Sequence, residues 1–230
     1  MVSLRYPETA TEDYLRQAIV ETGRIAYERG LLSSSDGNIS VRLPDGNVLI
    51  TPSGIGKGRM MPEDLLVVSM SGELVKPAAD PALKVTSEQP MHLEVLQRRP
   101  EIRAVLHAHP PYAVTLTVAG RAIRCDVLPE AAIALGEVPI SDFAVPSSPD
   151  NARAIRDLIG EHDVLMLRNH GSLTVGRHLE EALLQLERLE AVSYVQILAE
   201  LLGEVNPLPA SMLPELAAMR LKIFGKQAQY

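Results

Sequence analysis

From Asn38 to Leu43 the chain alternates polar and apolar residues, and this period of two predicts a strand with one face against a core. Asp45-Gly46 is a strong hairpin signal, and Val48-Leu49-Ile50 brings the chain back as a second strand. Leu65 to Ser69 and Glu73 to Val75, joined through Met70-Ser71-Gly72, predict another pair. Upstream the period is helical. Leu15, Ile19, Ile25 and Ala26 form one stripe of a helix from about Thr11 to Arg29; Thr9 and Glu12 are spaced as a capping box, and Gly30 is placed as a stop.

A further helix is expected near Ser87, with Pro90 in its first turn and its end before Pro100. Ala104-Val105-Leu106 is short, apolar and partly β-branched, as a buried strand is, and it runs into His107-Ala108-His109 before Pro110-Pro111 stops it. Pro111 to Val118 predicts a helix ending at Gly120. Val138-Pro139-Ile140 reads as part of a strand, and Ser148-Pro149 as the opening of a helix to Ile159 closed by Gly160. Val164 to Leu167 and Leu173 to Val175 are strands expected to pair across the turn that holds His170. The longest helix spans Leu179 to Leu202, with Leu183, Leu186, Leu189 and Val192 on its stripe and core packing as its role. Pro207 and Pro209 then lead to a short helix from Leu213 to Phe224. No repeat, low-complexity tract or long linker divides the chain, so one domain is expected over 1–230, with 206–230 as a candidate mobile tail. Mixed helices and strands with early hairpins predict an α/β or α+β layered fold with substantial antiparallel pairing.

At 230 residues, 46% hydrophobic and 22% charged, the chain can bury a sizeable core and has no composition of disorder. A net charge of −7 with no Lys/Arg cluster argues against a nucleic-acid partner. A single cysteine, Cys125, leaves no internal disulfide, and Met1 to Arg5 lacks a signal-peptide pattern, so a cytoplasmic protein is expected. No apolar run approaches the roughly 20 residues that cross a bilayer.

Candidate chemistry centres on histidine. On a strand, residues two apart share a face, so His107 and His109 can reach one ion. A third, His170, follows another buried strand in Asn169-His170-Gly171. A lone histidine is more often a hydrogen-bonded core or surface residue; the matching context of the third raises a metal site above that reading. Three imidazoles favour zinc, although other transition metals also accept them, and three protein ligands leave one position open for catalysis. Thr86-Ser87-Glu88 sets two hydroxyls and a carboxylate at an expected helix N-terminus, where anions are favoured. Gly37-Asn38 and Thr51-Pro52-Ser53-Gly54 are further places where donors could converge on a phosphate. Each of these alone is more often a cap or a turn.

Taken in order, Gly37-Asn38-Ile39-Ser40, Leu49-Ile50-Thr51-Pro52-Ser53-Gly54, Thr86-Ser87-Glu88, His107-Ala108-His109-Pro110 and Asn169-His170-Gly171 resemble the class II aldolase/adducin head family, in its L-fuculose-1-phosphate aldolase branch. The resemblance implies a central, mostly antiparallel sheet flanked by helices and a homotetramer with active sites between subunits. It implies one zinc per subunit on His107, His109 and His170, with manganese as an alternative, and Glu88 as acid/base. It further implies a phosphate pocket of Asn38, Ser53, Gly54, Thr86 and Ser87, Thr86 standing where the family has a serine. The implied activity is cleavage of a phosphorylated sugar, a ketose 1-phosphate, into dihydroxyacetone phosphate and an aldehyde, zinc acting as a Lewis acid on the enediolate. One position departs: the branch's aldehyde-side tyrosine falls at Leu128, with Glu130, Tyr112 and Tyr230 as stand-ins. A decarboxylase of the same fold needs no such acid and is the nearest alternative. A dehydratase, an epimerase and a non-catalytic adducin-like binding module are weaker ones, the last because a scaffold has no need of an open metal site.

Overall fold

Seven strands hydrogen-bond into one sheet in a computed structural model that describes residues 2–225. In chain order the elements are α1 (Glu12–Glu28), β1 (Asn38–Arg42), β2 (Val48–Ile50), β3 (Leu66–Val68), β4 (Leu74–Lys76), α2 (Gln89–Arg98), β5 (Ala104–Ala108), α3 (Pro111–Val118), α4 (Pro129–Ala134), α5 (Pro149–Ile155), β6 (Val164–Leu167), β7 (Gly171–Gly176), α6 (Leu179–Leu202) and α7 (Leu213–Phe224). The sheet order is β4-β3-β2-β1-β5-β7-β6, and every neighbouring pair is antiparallel. This is the expected layered fold, a central antiparallel sheet flanked by helices.

Strand alternation divides the interior. Ile39 and Val41 of β1 and Ala104, Leu106 and Ala108 of β5 pack in one cluster with Leu15 and Ile19 of α1 and Leu179, Leu183 and Leu186 of α6. The opposite face carries Val48, Ile50, Val105, Leu165, Leu167 and Val175 against Met91, Val95 and Leu96 of α2 and Ile155 of α5. A third cluster joins Val164 and Met166 of β6 to α3, α4 and α6. The polar members of β1, Asn38 and Ser40, therefore share the α2 face with His107 of β5, and the ladder pairs Asn38 with His107 directly. Strand polarity thus delivers three chemically useful side chains to one side of the sheet.

Several local expectations are corrected. Helix α1 is capped by Thr11, whose side chain accepts from the Tyr14 amide, rather than by a Thr9–Glu12 box, because the helix begins at Glu12 and not at Ala10 as that box requires. Val138 to Ile140 is no strand of its own: Ile140 makes a single parallel bridge to Met166. Helix α5 stops at Ile155, short of the predicted end at Ile159, the chain continuing in turns to Gly160. Helix α4, begun by Pro129 at its first turn, had no apolar period to announce it. Helix α7 lies on α4, where Arg220 donates to the carbonyls of Ile133 and Ala134. Among the described residues no helix is long and apolar enough to cross a membrane.

Leu106 is fully buried at the middle of the central strand pair. Leu106→Ala is expected to lower the unfolding free energy by about 2–5 kcal/mol, read by denaturant unfolding, with the slope unchanged.

Candidate metal centre and active site

His107 lies near the end of β5 with no solvent exposure, and His109 lies just past the strand, its amide held by the Leu31 carbonyl at 3.2 Å. His170 sits in the turn between β6 and β7. There Asn169 takes a left-handed φ of 56°, a conformation asparagine tolerates better than most residues, and Gly171 lets β7 come close. A Cβ at Gly171 would lie 2.5 Å from the Ala108 carbonyl and 2.6 Å from His109 Cδ2. In Asn169-His170-Gly171, then, the first residue makes the turn, the second offers a ligand, and the third permits the close approach.

The three rings form a near-equilateral group, with centroids 4.8 to 4.9 Å apart. One nitrogen from each lies within 4.8 Å of the others, so the group could hold a metal ion. His107 Nε2 and His109 Nε2 are 3.0 Å apart, near the roughly 3.3 Å that separates two ligands of a tetrahedral ion at about 2.0–2.1 Å. His107 Nδ1 faces the Ser172 carbonyl at 2.9 Å, an acceptor for the Nδ1 proton that would leave Nε2 free to ligate a metal once it gives up its contact with Glu88. Burial and the neighbouring rings lower the His109 pKa to about 3 and lower that of His170, so both stay neutral as ligation requires.

Glu88 occupies the N-cap position of α2, beside this group, without a side-chain capping bond. Its Oε2 is 3.1 Å from His107 Nε2 and its Oε1 3.7 Å from His170 Nε2. Two amides hold the carboxylate: Asn38 Nδ2 donates to Oε2 at 2.8 Å, and Asn151 Nδ2, from α5, donates to Oε1 at 3.2 Å. Burial raises the Glu88 pKa, but the His107 hydrogen bond and charge, then Asn38 and His170, win and hold it well below the usual carboxylate range. Behind Asn38 stands His92, fully buried, whose Nε2 meets Asn38 Oδ1 at 2.5 Å and whose Nδ1 meets Ser40 Oγ at 2.7 Å.

A cavity of about 220 Å³ opens beside these groups, lined by Asn38, Ser53, Gly54, Thr86, Ser87, Glu88, His109 and His170 together with Asp36, Lys57 and Ser147. It is smaller than the roughly 300–1,000 Å³ of drug-sized sites and suits a small metabolite. The structure therefore brings every predicted site residue but the fully buried His107 to the cavity wall, and His107 lies behind it against Glu88. Gly54 has a φ of 78°, and a side chain there would meet open space, so its backbone faces the cavity unshielded. Asn38 lines the cavity too, yet its amide is committed to Glu88 and His92.

Sequence reasoning missed His92, Asn151 and Lys57. His92 had a signal, since Glu88 and His92 lie four residues apart on one helix face, beneath the alternating Asn38 and Ser40. Asn151 and Lys57 had none, because α5 and the turn at 57 reach the site only through tertiary packing.

An antiparallel sheet between helix layers, with three histidines and a carboxylate at one end of strands β5 and β7 and a hydroxyl-lined cavity beside them, defines the class of a metal-dependent class II aldolase fold. A family model, Class II Aldolase and Adducin N-terminal domain, matches residues 17–197, and the chain belongs to that family. It is 32% identical over 171 residues to an L-fuculose phosphate aldolase of Methanococcus maripaludis, covering 74% of this chain and 89% of that relative. It is 30% identical over 183 residues to a 3-oxo-tetronate 4-phosphate decarboxylase of Escherichia coli, covering 78% and 84%. A solved L-fuculose 1-phosphate aldolase superposes with a TM-score of 0.79 at 26% identity, over 93% of this chain and 98% of that one. These relatives are enzymes, and they carry out more than one reaction.

Burial, then the charge of His107, with Glu88 opposing, lowers the His92 pKa to about 3. Above pH 6.5 the ring is neutral whether the chain is folded or not. Between about 6.5 and 3 the unfolded chain binds a proton that the folded one refuses, so stability falls on acidification by roughly 1 kcal/mol per pH unit from this ring alone. In metal-free protein, urea unfolding at about pH 7.5 and about pH 5 should show a shallower acid loss for His92→Gln by that slope; equal losses would contradict the assignment.

Proposed function

We propose that this chain is a zinc-dependent lyase, an aldolase that cleaves a ketose 1-phosphate into dihydroxyacetone phosphate and an aldehyde. The observation that carries the reading is the position of Glu88, between the histidine group and the hydroxyl-lined wall of one cavity. His107, His109 and His170 would hold the zinc, manganese being the alternative, and three imidazole ligands suit it. Bound there, the metal supplies Lewis acidity for the negative charge that develops when the carbon–carbon bond breaks.

The chain's own groups do the rest. Ser53, Thr86 and Ser87 with the Gly54 backbone receive the phosphate, and Asn38, beside them, orients Glu88. In the synthetic direction Glu88 takes the proton from the hydroxyl-bearing carbon of dihydroxyacetone phosphate; in cleavage it returns that proton to the same carbon. Substrate entry that parts Glu88 from His107 would remove the largest of the contacts that hold its pKa down, so that burial, with Asn38 and His170 still opposing it, raises its basicity.

A decarboxylase is the second reading, and one observation favours it. Among the described residues no tyrosine lines the cavity. Leu128, at the position of the missing phenol, precedes α4 and packs in the third apolar cluster. Tyr112 packs against Tyr194 in a tilted contact with centroids 4.7 Å apart, outside the cavity wall, Glu130 is exposed at the start of α4, and Tyr230 lies outside the described residues. An aldolase would need an acid from a neighbouring subunit, and the homotetramer that the family resemblance implies, with Tyr194, Val195 and Leu198 of α6 exposed for contact, could supply one. Loss of carbon dioxide needs no such acid.

The deciding assay offers metal-loaded protein several ketose 1-phosphates and 3-oxo sugar-acid phosphates, with a chelated control. Chelator-sensitive dihydroxyacetone phosphate is the expected product; carbon dioxide alone would transfer the same residues to a decarboxylase, and neither product would remove the lyase reading. His170→Ala is expected to lose the metal, read by elemental analysis, while keeping its circular dichroism. Glu88→Gln is expected to keep the metal and lose turnover by about 10²–10⁴-fold. Full turnover in either variant contradicts the role assigned to that residue.

A further inference from the structure

Lys57 is the only lysine or arginine among the described residues lining the cavity, and its surroundings are unusual for an ammonium. The residue sits in a single 3-10 turn, Lys57–Arg59, just after the Ser53-Gly54 loop. It is 2% exposed. Its stem is pressed against α1 at Gly23, where an added Cβ would fall 2.8 Å from the Lys57 carbonyl oxygen and 3.2 Å from Lys57 Cβ, so α1 can accept it only through a glycine. Nζ donates to the Ser35 carbonyl at 2.8 Å and the Ile55 carbonyl at 2.9 Å. Those carbonyls belong to the two loops on either side of the cavity, so the charge sits between the metal-side loop and the hydroxyl-bearing loop.

Two carbonyls occupy two of the three ammonium protons, and among the described residues no carboxylate lies within 4.0 Å. A cation taken out of water without a counter-ion is costly. Tying two carbonyls together needs only a neutral donor. The cavity, meanwhile, already holds the carboxylates of Asp36 and Glu88, and its hydroxyl and amide donors carry no charge. In the metal-free protein a phosphate dianion entering such a site meets net repulsion unless a fixed cation offsets it.

We propose that Lys57 is the counter-cation of the substrate's phosphoryl group, a specificity-determining residue that makes the cavity select a dianion over an uncharged sugar. This rests on the phosphate-binding reading of the cavity. Burial lowers the Lys57 pKa to about 8, with Asp36 and Glu88 opposing, so the group is cationic at neutral pH and an arriving anion completes its third bond.

The test uses the full chain and inorganic phosphate as probe, with phosphate binding followed by calorimetry on metal-free protein and zinc affinity measured separately. Lys57→Met keeps the stem without the charge, and Lys57→Gln keeps a neutral donor for the two carbonyls should the first variant fold poorly. Phosphate affinity is expected to fall about tenfold to a hundredfold in both while zinc affinity stays as in the parent. Unchanged phosphate affinity in Lys57→Gln overturns the inference, and so does a parallel loss of zinc, which would mark Lys57 as a structural tie. Thr86→Val separates the two levels: if it weakens phosphate and Lys57→Gln does not, the cradle stands and the role of Lys57 falls. A parent protein that binds zinc but no phosphate removes the cradle and the inference together.

Discussion

The antiparallel register of β1 against β5 is the constraint on which the site depends. Asn38 opposite His107 and Ser40 opposite Val105 set one polar row beside one histidine on the α2 face. A slip of one residue would turn His107 into the apolar layer beneath α1 and α6 and expose Leu106 to the site. Gly37 protects the register, because with its φ of 72° any side chain would collide with Leu32 and approach the His107 carbonyl to 2.7 Å. The strand ladder, the glycine before it and the histidine pair are thus one device.

On that base the polar groups form a chain of dependence. Ser40 holds His92, His92 holds Asn38, and Asn38 holds Glu88 against the histidine group. A buried polar network of this kind is favourable only when its members are satisfied, and here both ring nitrogens of His92 and both oxygens of Glu88 have partners. The consequence is a carboxylate fixed in place and kept ionised beside a group that could hold a cation, which is the arrangement acid/base chemistry at a metal requires. Opposing charges are kept apart in the same way: the acids Asp36 and Glu88 and the buried ammonium of Lys57 all border the cavity, and none of the carboxylates pairs with the ammonium directly.

Much of this was legible in sequence because it is local. Residues two apart on a strand share a face, so the spacing alone pairs His107 with His109; a strand, a turn and a strand around Asn169-His170-Gly171 predicted the third ring's placement. The motifs ending in Ser53-Gly54 and Glu88 likewise sit where chain punctuation puts them. What escaped was nonlocal or marginal. Asn151 reaches Glu88 only because α5 packs on α2, and nothing in its own neighbourhood distinguishes it from a surface asparagine near a helix start. The cap of α1 differed because Thr9 and Thr11 both stand upstream of acidic residues, and the helix begins at Glu12, which leaves Thr11 to accept from the Tyr14 amide. Val138 to Ile140 has strand composition, yet with Pro139 inside it makes one bridge only.

Whether His107, His109 and His170 hold one ion next to Glu88 decides everything said of the chemistry. Anomalous diffraction at the zinc edge from crystals of the zinc-loaded protein tests it most directly. The expected result is a single peak about 2.0–2.1 Å from one nitrogen of each of the three rings, with the Glu88 carboxylate alongside. Bound zinc with its peak elsewhere, or liganded by fewer than these three rings, would contradict it.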